Sequence, residues 1–62
     1  MIDLNLTLNL DERAAWALAQ FVKRVGWSEL RENAISEDEA YEMRDGIAAL
    51  QRALAEAGYA PR

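Results

Sequence analysis

From Ile2 to Leu10 the chain alternates without a break: Ile2, Leu4, Leu6, Leu8 and Leu10 are separated by Asp3, Asn5, Thr7 and Asn9. An apolar period of two is the signature of a strand with one buried face. It predicts a strand over about 2–9, even though leucine and asparagine are weak strand formers. The period then changes. In "DERAAWALAQFVKRV" (11–25), Ala14, Leu18, Phe21 and Val25 make one stripe, widened by Ala17 and Val22. That spacing predicts an amphipathic helix over about 11–25, with its apolar side turned inward. Acids in its first turn and Lys23 and Arg24 in its last suit the helix dipole. Gly26 followed by Trp27 predicts a glycine-capped end with Trp27 folded back on Val22. Trp16 lies off the stripe, which implies partial exposure.

"SELRENAI" (28–35) predicts a short helix over about 28–34, capped by Ser28, with Leu30, Ala34 and Ile35 facing inward. Ser36 and Glu39 then match the capping box S-x-x-E and open a longer helix over about 36–57. Met43, Ile47, Leu50, Leu54 and Ala57 form its apolar seam. Gly46 interrupts this helix at a cost of about 1 kcal/mol relative to alanine. Close packing of a neighbouring element is the expected reason. Gly58 ends the helix, Tyr59 folds back on Leu54, and Pro61 blocks continuation. The resulting expectation is an α+β fold, strand then three helices, in one small domain spanning residues 1–62.

A single strand has no ladder partner within this chain, and its backbone donors and acceptors need one. Pairing with the same strand of a second copy would supply it and enlarge the core. Leu4, Leu6 and Leu8 are therefore the expected dimer strand residues of a homodimer.

Length sharpens that argument. A chain of 62 residues buries only about 60% of its unfolded surface. The usual supplements are disulfides, metals or self-association. Cysteine and histidine are both absent, which removes disulfides and the ligands that dominate zinc sites. No apolar run reaches the roughly 18 residues that span a bilayer, and "MIDLNLTLNL" lacks the basic n-region of a signal peptide. A cysteine-free chain fits a reducing compartment, so a cytoplasmic location is expected. With no His, no Cys, no glycine-rich phosphate loop and little volume for a cleft, no catalytic residues, metal site or cofactor are expected and the protein is read as a non-enzyme. The acids do not follow the spacing of a calcium-binding EF-hand loop.

Charge changes the picture most. The segment "WSELRENAISEDEAYEMRD" (27–45) holds seven acids and two bases, a net of −5, while the remaining 43 residues carry a net of +1. On a helix beginning near Ser36, Asp38, Glu42 and Asp45 fall on one face, away from the Met43–Ile47–Leu50 seam. Glu37 and Glu39 flank its start, and Glu29 and Glu32 extend it from the preceding turn. These seven residues are the candidate partner-binding set. The expected partner is a basic protein surface, reached by steered association. Direct nucleic-acid binding is disfavoured, because it relies on Lys and Arg neutralising phosphates.

Three resemblances follow. "LNLTLNLDERAAWALAQFVKRVGWSELRENAI" (4–35) resembles the strand, first helix, glycine and second-helix start of dimeric ribbon-helix-helix regulators. That likeness implies DNA reading by Asn5, Thr7 and Asn9, although no Arg or Lys stands among the outward residues. "ALAQFVKRVGWSELRENAISEDEAYEMRD" (17–45) with "ALAEAGYAPR" (53–62) resembles a family of short proteins of bacterial mobile elements and prophages. In size, acidity and single-domain build the chain is similar in type to small acidic anti-CRISPR proteins. That likeness implies an inhibitor whose acidic face mimics DNA and occupies a basic groove of a type I CRISPR effector complex in a bacterial host. A dimerising accessory protein contacting its partner through Trp16, Trp27 or Tyr41 is the third expectation.

Overall fold

The computed structural model describes residues 3–61 and contains three helices: α1 (Glu12–Arg24), α2 (Trp27–Asn33) and α3 (Glu37–Glu56). No strand is present among the described residues, so the α+β expectation is corrected to an all-helical fold. Ile2, the first residue of the expected strand, lies outside the described residues. Residues 3–10 run as an irregular arm with no backbone–backbone hydrogen bond to another described residue. The physical reason is the missing ladder. Period two sets which side chains share a face, but a strand exists only when a neighbouring strand takes its N–H and C=O groups.

The helices themselves follow the predicted order, and local chemistry sets their ends. Asp11 caps α1, its carboxylate accepting from the Ala14 N–H at 2.7 Å. Ser36 Oγ accepts from the Glu39 N–H at 3.1 Å and opens α3. The returning half of that box closes on Ile35, whose N–H donates to Glu39 Oε1 at 3.0 Å. At the far end Gly58 takes φ +100°. The Tyr59 N–H bonds to the Leu54 carbonyl at 2.8 Å and the Gly58 N–H to that of Ala55 at 3.0 Å. This pair of bonds is a Schellman ending, which only glycine enters without strain.

The other glycine ending does not form. Gly26 has φ −110° and serves as the N-cap of α2, and Trp27 is that helix's first residue. Val25 closes α1 with an extended backbone, so the chain turns out of α1 and at once into α2. Ser28 lies inside α2 and caps nothing. Ile35, expected inward, is 90% exposed in the connection to α3.

α1 and α2 each pack on α3. Ala19, Val22 and Leu54 form the centre of the core, with Leu18, Ile47, Leu50 and Tyr59 packed around it. Ala15 and Ala40 are also buried. The face α1 presents is turned by roughly 80° from the expected stripe, counted at 100° per residue. Small Ala15 and Ala19 let the α1 backbone approach α3, which leaves bulky Phe21 57% exposed. Trp16 crosses to Tyr59, and Trp27 to Tyr41. The partial exposure expected for Trp16 is observed.

The packing leaves much uncovered. The radius of gyration is 12.5 Å, against about 10.6 Å for a compact chain of this length. The accessible surface is 5322 Å², against about 4,000 Å² for a folded protein of this mass.

Candidate interaction surface

The acidic row is held by α3. Capping at Ser36 sets the helix phase, and the buried residues Ala40 and Leu54 turn one side inward. Asp38, Glu42 and Asp45 then project from the opposite side, all exposed. Glu37 is exposed beside them, while Glu39 is half-buried and engaged with the Ile35 N–H. Glu29 and Glu32 are exposed on α2, which packs on α3. Among the described residues no three of these acids come close enough to hold a metal ion together. They form a spread surface.

Its charge density is modest. At 1.5 Å rise per residue the three-residue row spans about 10.5 Å, one charge every ~5 Å. A single nucleic-acid strand carries one per ~3.4 Å and a duplex one per ~1.7 Å. With Glu37 and Glu39 added, the spacing approaches that of one strand. Arg44 subtracts from it, lying 3.8 Å from Asp45 and 4.9 Å from the centre of the Tyr41 ring.

Two apolar grooves border this surface and the arm. The larger, about 650 Å³, opens where all three helices meet. Phe21 and Val25 come from α1 and its end, Leu30 from α2, and Met43, Ile47 and Leu50 from α3. Gly46 lies in its α3 wall and Glu29 on its α2 wall. A Cβ built on Gly46 meets nothing within 4 Å. The expected reason for this glycine, close packing of a neighbouring element, is therefore absent within the protomer.

The second groove, about 250 Å³, runs beneath the arm. Leu6, Leu8 and Leu10 line it against Leu50, Leu54 and Tyr59. Exposure climbs along the arm from 42% at Leu10 to 56% at Leu8, 72% at Leu6 and 79% at Leu4. The arm thus lifts off the helices from Leu10 toward Leu4. Leu4, Leu6 and Leu8, the expected dimer strand residues, stand uncovered in the protomer. Asp3, Asn5, Thr7 and Asn9, also exposed, belong to the same arm.

Helix periodicity marks the acidic row but not the groove: it assigns Phe21 to the core and Gly46 to internal packing. The signal was present in both: a large aromatic and a mid-helix glycine, neither of which the protomer itself requires.

No helix among the described residues is long and apolar enough to cross a membrane. Neither the curated proteins nor the solved structures contain a significant match to the chain. A family model does match, over residues 1–62, and by it the chain belongs to DUF7706, a family of unknown function.

Proposed function

We propose that this protein is a non-catalytic binding module that works by covering, and being covered by, another protein. The observation that carries this reading is its accessible surface of 5322 Å², roughly 1,300 Å² above the folded-protein scaling. Leu4, Leu6, Phe21 and Ile35 contribute to it, all more than half exposed. Standard protein interfaces cover about 800 Å² on each partner, so one such contact would bring the chain close to ordinary burial.

Charge supports a basic partner. The net −5 of residues 27–45 lies on the half of the molecule where α2 meets α3, and would both steer a Lys/Arg-rich surface and repel an acidic one. A protein groove built for nucleic acid is one such surface. In its sharpest form the proposal is a cytoplasmic inhibitor, anti-CRISPR-like, that sets Glu37, Asp38, Glu42 and Asp45 against the DNA-binding groove of a type I CRISPR effector complex. Along the α3 axis those four acids fall one per ~4 Å, near the ~3.4 Å of a single nucleic-acid strand, which supports that form.

The test is capture from a bacterial host with tagged protein. A stoichiometric basic partner, released by salt and lost when Asp38, Glu42 and Asp45 become lysine, is the expected result. A chain that stays alone at every salt concentration overturns the reading. Phage plaquing on hosts with an active type I system tests the inhibitor form: restored plaquing supports it, and no rescue across subtypes removes it.

The exposure gradient of the arm favours a second reading, self-association through Leu4, Leu6 and Leu8. It needs no charged partner and would survive the charge reversals.

A further inference from the structure

We infer that the three-helix groove around Gly46 is the docking site for a basic amphipathic helix of the partner protein. This rests on the binding-module reading and names the contact within it. Three observations converge. The groove is apolar and open, and Phe21 on its wall is 57% exposed, more than an ordinary core-facing aromatic shows. Gly46 occupies the middle of a 20-residue helix, where glycine is costly, yet a Cβ there would touch nothing. A mid-helix glycine without an internal neighbour fits an external one, because it lets a guest helix approach the α3 backbone closely. Finally, the charged group that lines the groove is Glu29, and no lining residue is basic. Glu32 lies one turn beyond Glu29 on α2, and Glu42 one turn before Gly46 on α3.

An apolar floor with Glu29 on its α2 wall and Glu42 one helical turn from Gly46 on α3 is complementary to a helix with one apolar stripe flanked by Lys or Arg. The contact along α3 from Met43 to Leu50 is about 10.5 Å, two helical turns, enough to seat two anchors spaced i, i+4. A second copy of this chain fits poorly here: it would bring its own net −4 against the same acids. The arm groove is the more neutral surface, since the chain outside 27–45 carries a net of +1.

The probe is a synthetic Leu/Lys amphipathic peptide of roughly 18 residues, long enough to hold a helix, followed by fluorescence anisotropy. A Leu/Glu peptide of the same pattern is the control. Wild type should bind the Leu/Lys helix and not the Leu/Glu one. Gly46→Leu, which puts a side chain into the groove from a position whose Cβ meets nothing within 4 Å, should weaken binding at least tenfold while the helical circular dichroism signal is retained. Glu29→Lys with Glu42→Lys should weaken it and flatten its salt dependence.

Equal binding by wild type and Gly46→Leu overturns the groove, as does equal binding of the two peptides. A wild-type dimer that Gly46→Leu converts to monomer assigns the groove to a second copy and overturns the basic helix. If a host partner is captured equally by wild type and Gly46→Leu, the groove falls and the binding-module reading stands. A wild-type chain that takes up neither peptide nor host protein overturns both.

Discussion

Trp16 meets Tyr59 edge to face, with ring centroids 5.0 Å apart and planes inclined at 68°. The contact ties α1 to the tail that follows α3, and it exists because Gly58 reverses the chain. Without a positive φ at that residue, Tyr59 would not point back at the helices. The pair closes one end of a core whose buried members are Ala15, Ala19, Val22, Ala40 and Leu54.

Gly58→Ala is expected to destabilise the fold by about 1–2 kcal/mol, the cost of a left-handed backbone for an L-residue. On a domain this small, that lowers Tm by several degrees. Thermal melts check it, and Trp16 emission should shift red as Tyr59 leaves. A Tm equal to wild type would mean the ending is not maintained in solution.

Gly46→Ala should act in the opposite sense. The added methyl enters open space, so helix propensity alone decides, and stability should rise by about 1 kcal/mol. Gly26→Ala is intermediate: its Cβ would meet Glu29 Oε2 at 3.2 Å, the far end of a flexible side chain that can move aside. The same calorimetric series separates all three glycines. A rise at Gly46 with a loss of partner binding would show stability given up for function.

Trp27 and Tyr41 meet with ring centroids 4.7 Å apart and planes inclined at 45°, and Arg44 lies over the Tyr41 ring. This is the side-chain joint between α2 and α3. α2 has seven residues and no side-chain cap, too short to persist alone. Tyr41→Ala should therefore release α2, with loss of about one helical segment in far-UV circular dichroism and fast amide exchange over 27–33, while α1 and α3 remain protected. Uniform protection in the variant would place the hold on α2 elsewhere.

Leu54→Ala is expected to cost about 2–4 kcal/mol, because Leu54 is the largest buried side chain and leaves a cavity at the core's centre. Leu4, Leu6 and Leu8 replaced by asparagine should leave the monomer's Tm nearly unchanged, since those side chains are exposed. Sedimentation velocity across a concentration series then reads the arm directly. Association by wild type that the triple variant abolishes would support self-association through the arm, and identical monomeric profiles would remove it.

Ser36→Ala should cost about 1 kcal/mol through loss of the α3 cap. Lysine at Asp38, Glu42 and Asp45 should leave helicity intact, because all three side chains are exposed and lysine is a good helix former; one row of like charges replaces another of the same spacing. Helix loss in that variant would make the acids structural.

Helix existence and order were legible in the chain because they depend on neighbours three and four residues apart. The Ser36–Glu39 cap and the Gly58–Tyr59 ending are local hydrogen-bond arrangements, and both formed as the residues dictate. The acidic row on α3 was legible for the same reason, since helical phase alone places Asp38, Glu42 and Asp45 together. Three features were not local. The alternation of 2–10 determines a shared face for its leucines, but strand formation needs a second strand, and no other described segment supplies one. The face α1 buries was decided by how closely Ala15 and Ala19 allow α3 to approach, which displaced Phe21 into solvent. The groove at Gly46 arises only where three helices meet and leave space. Periodicity specifies which side chains travel together; only packing decides which of them are covered.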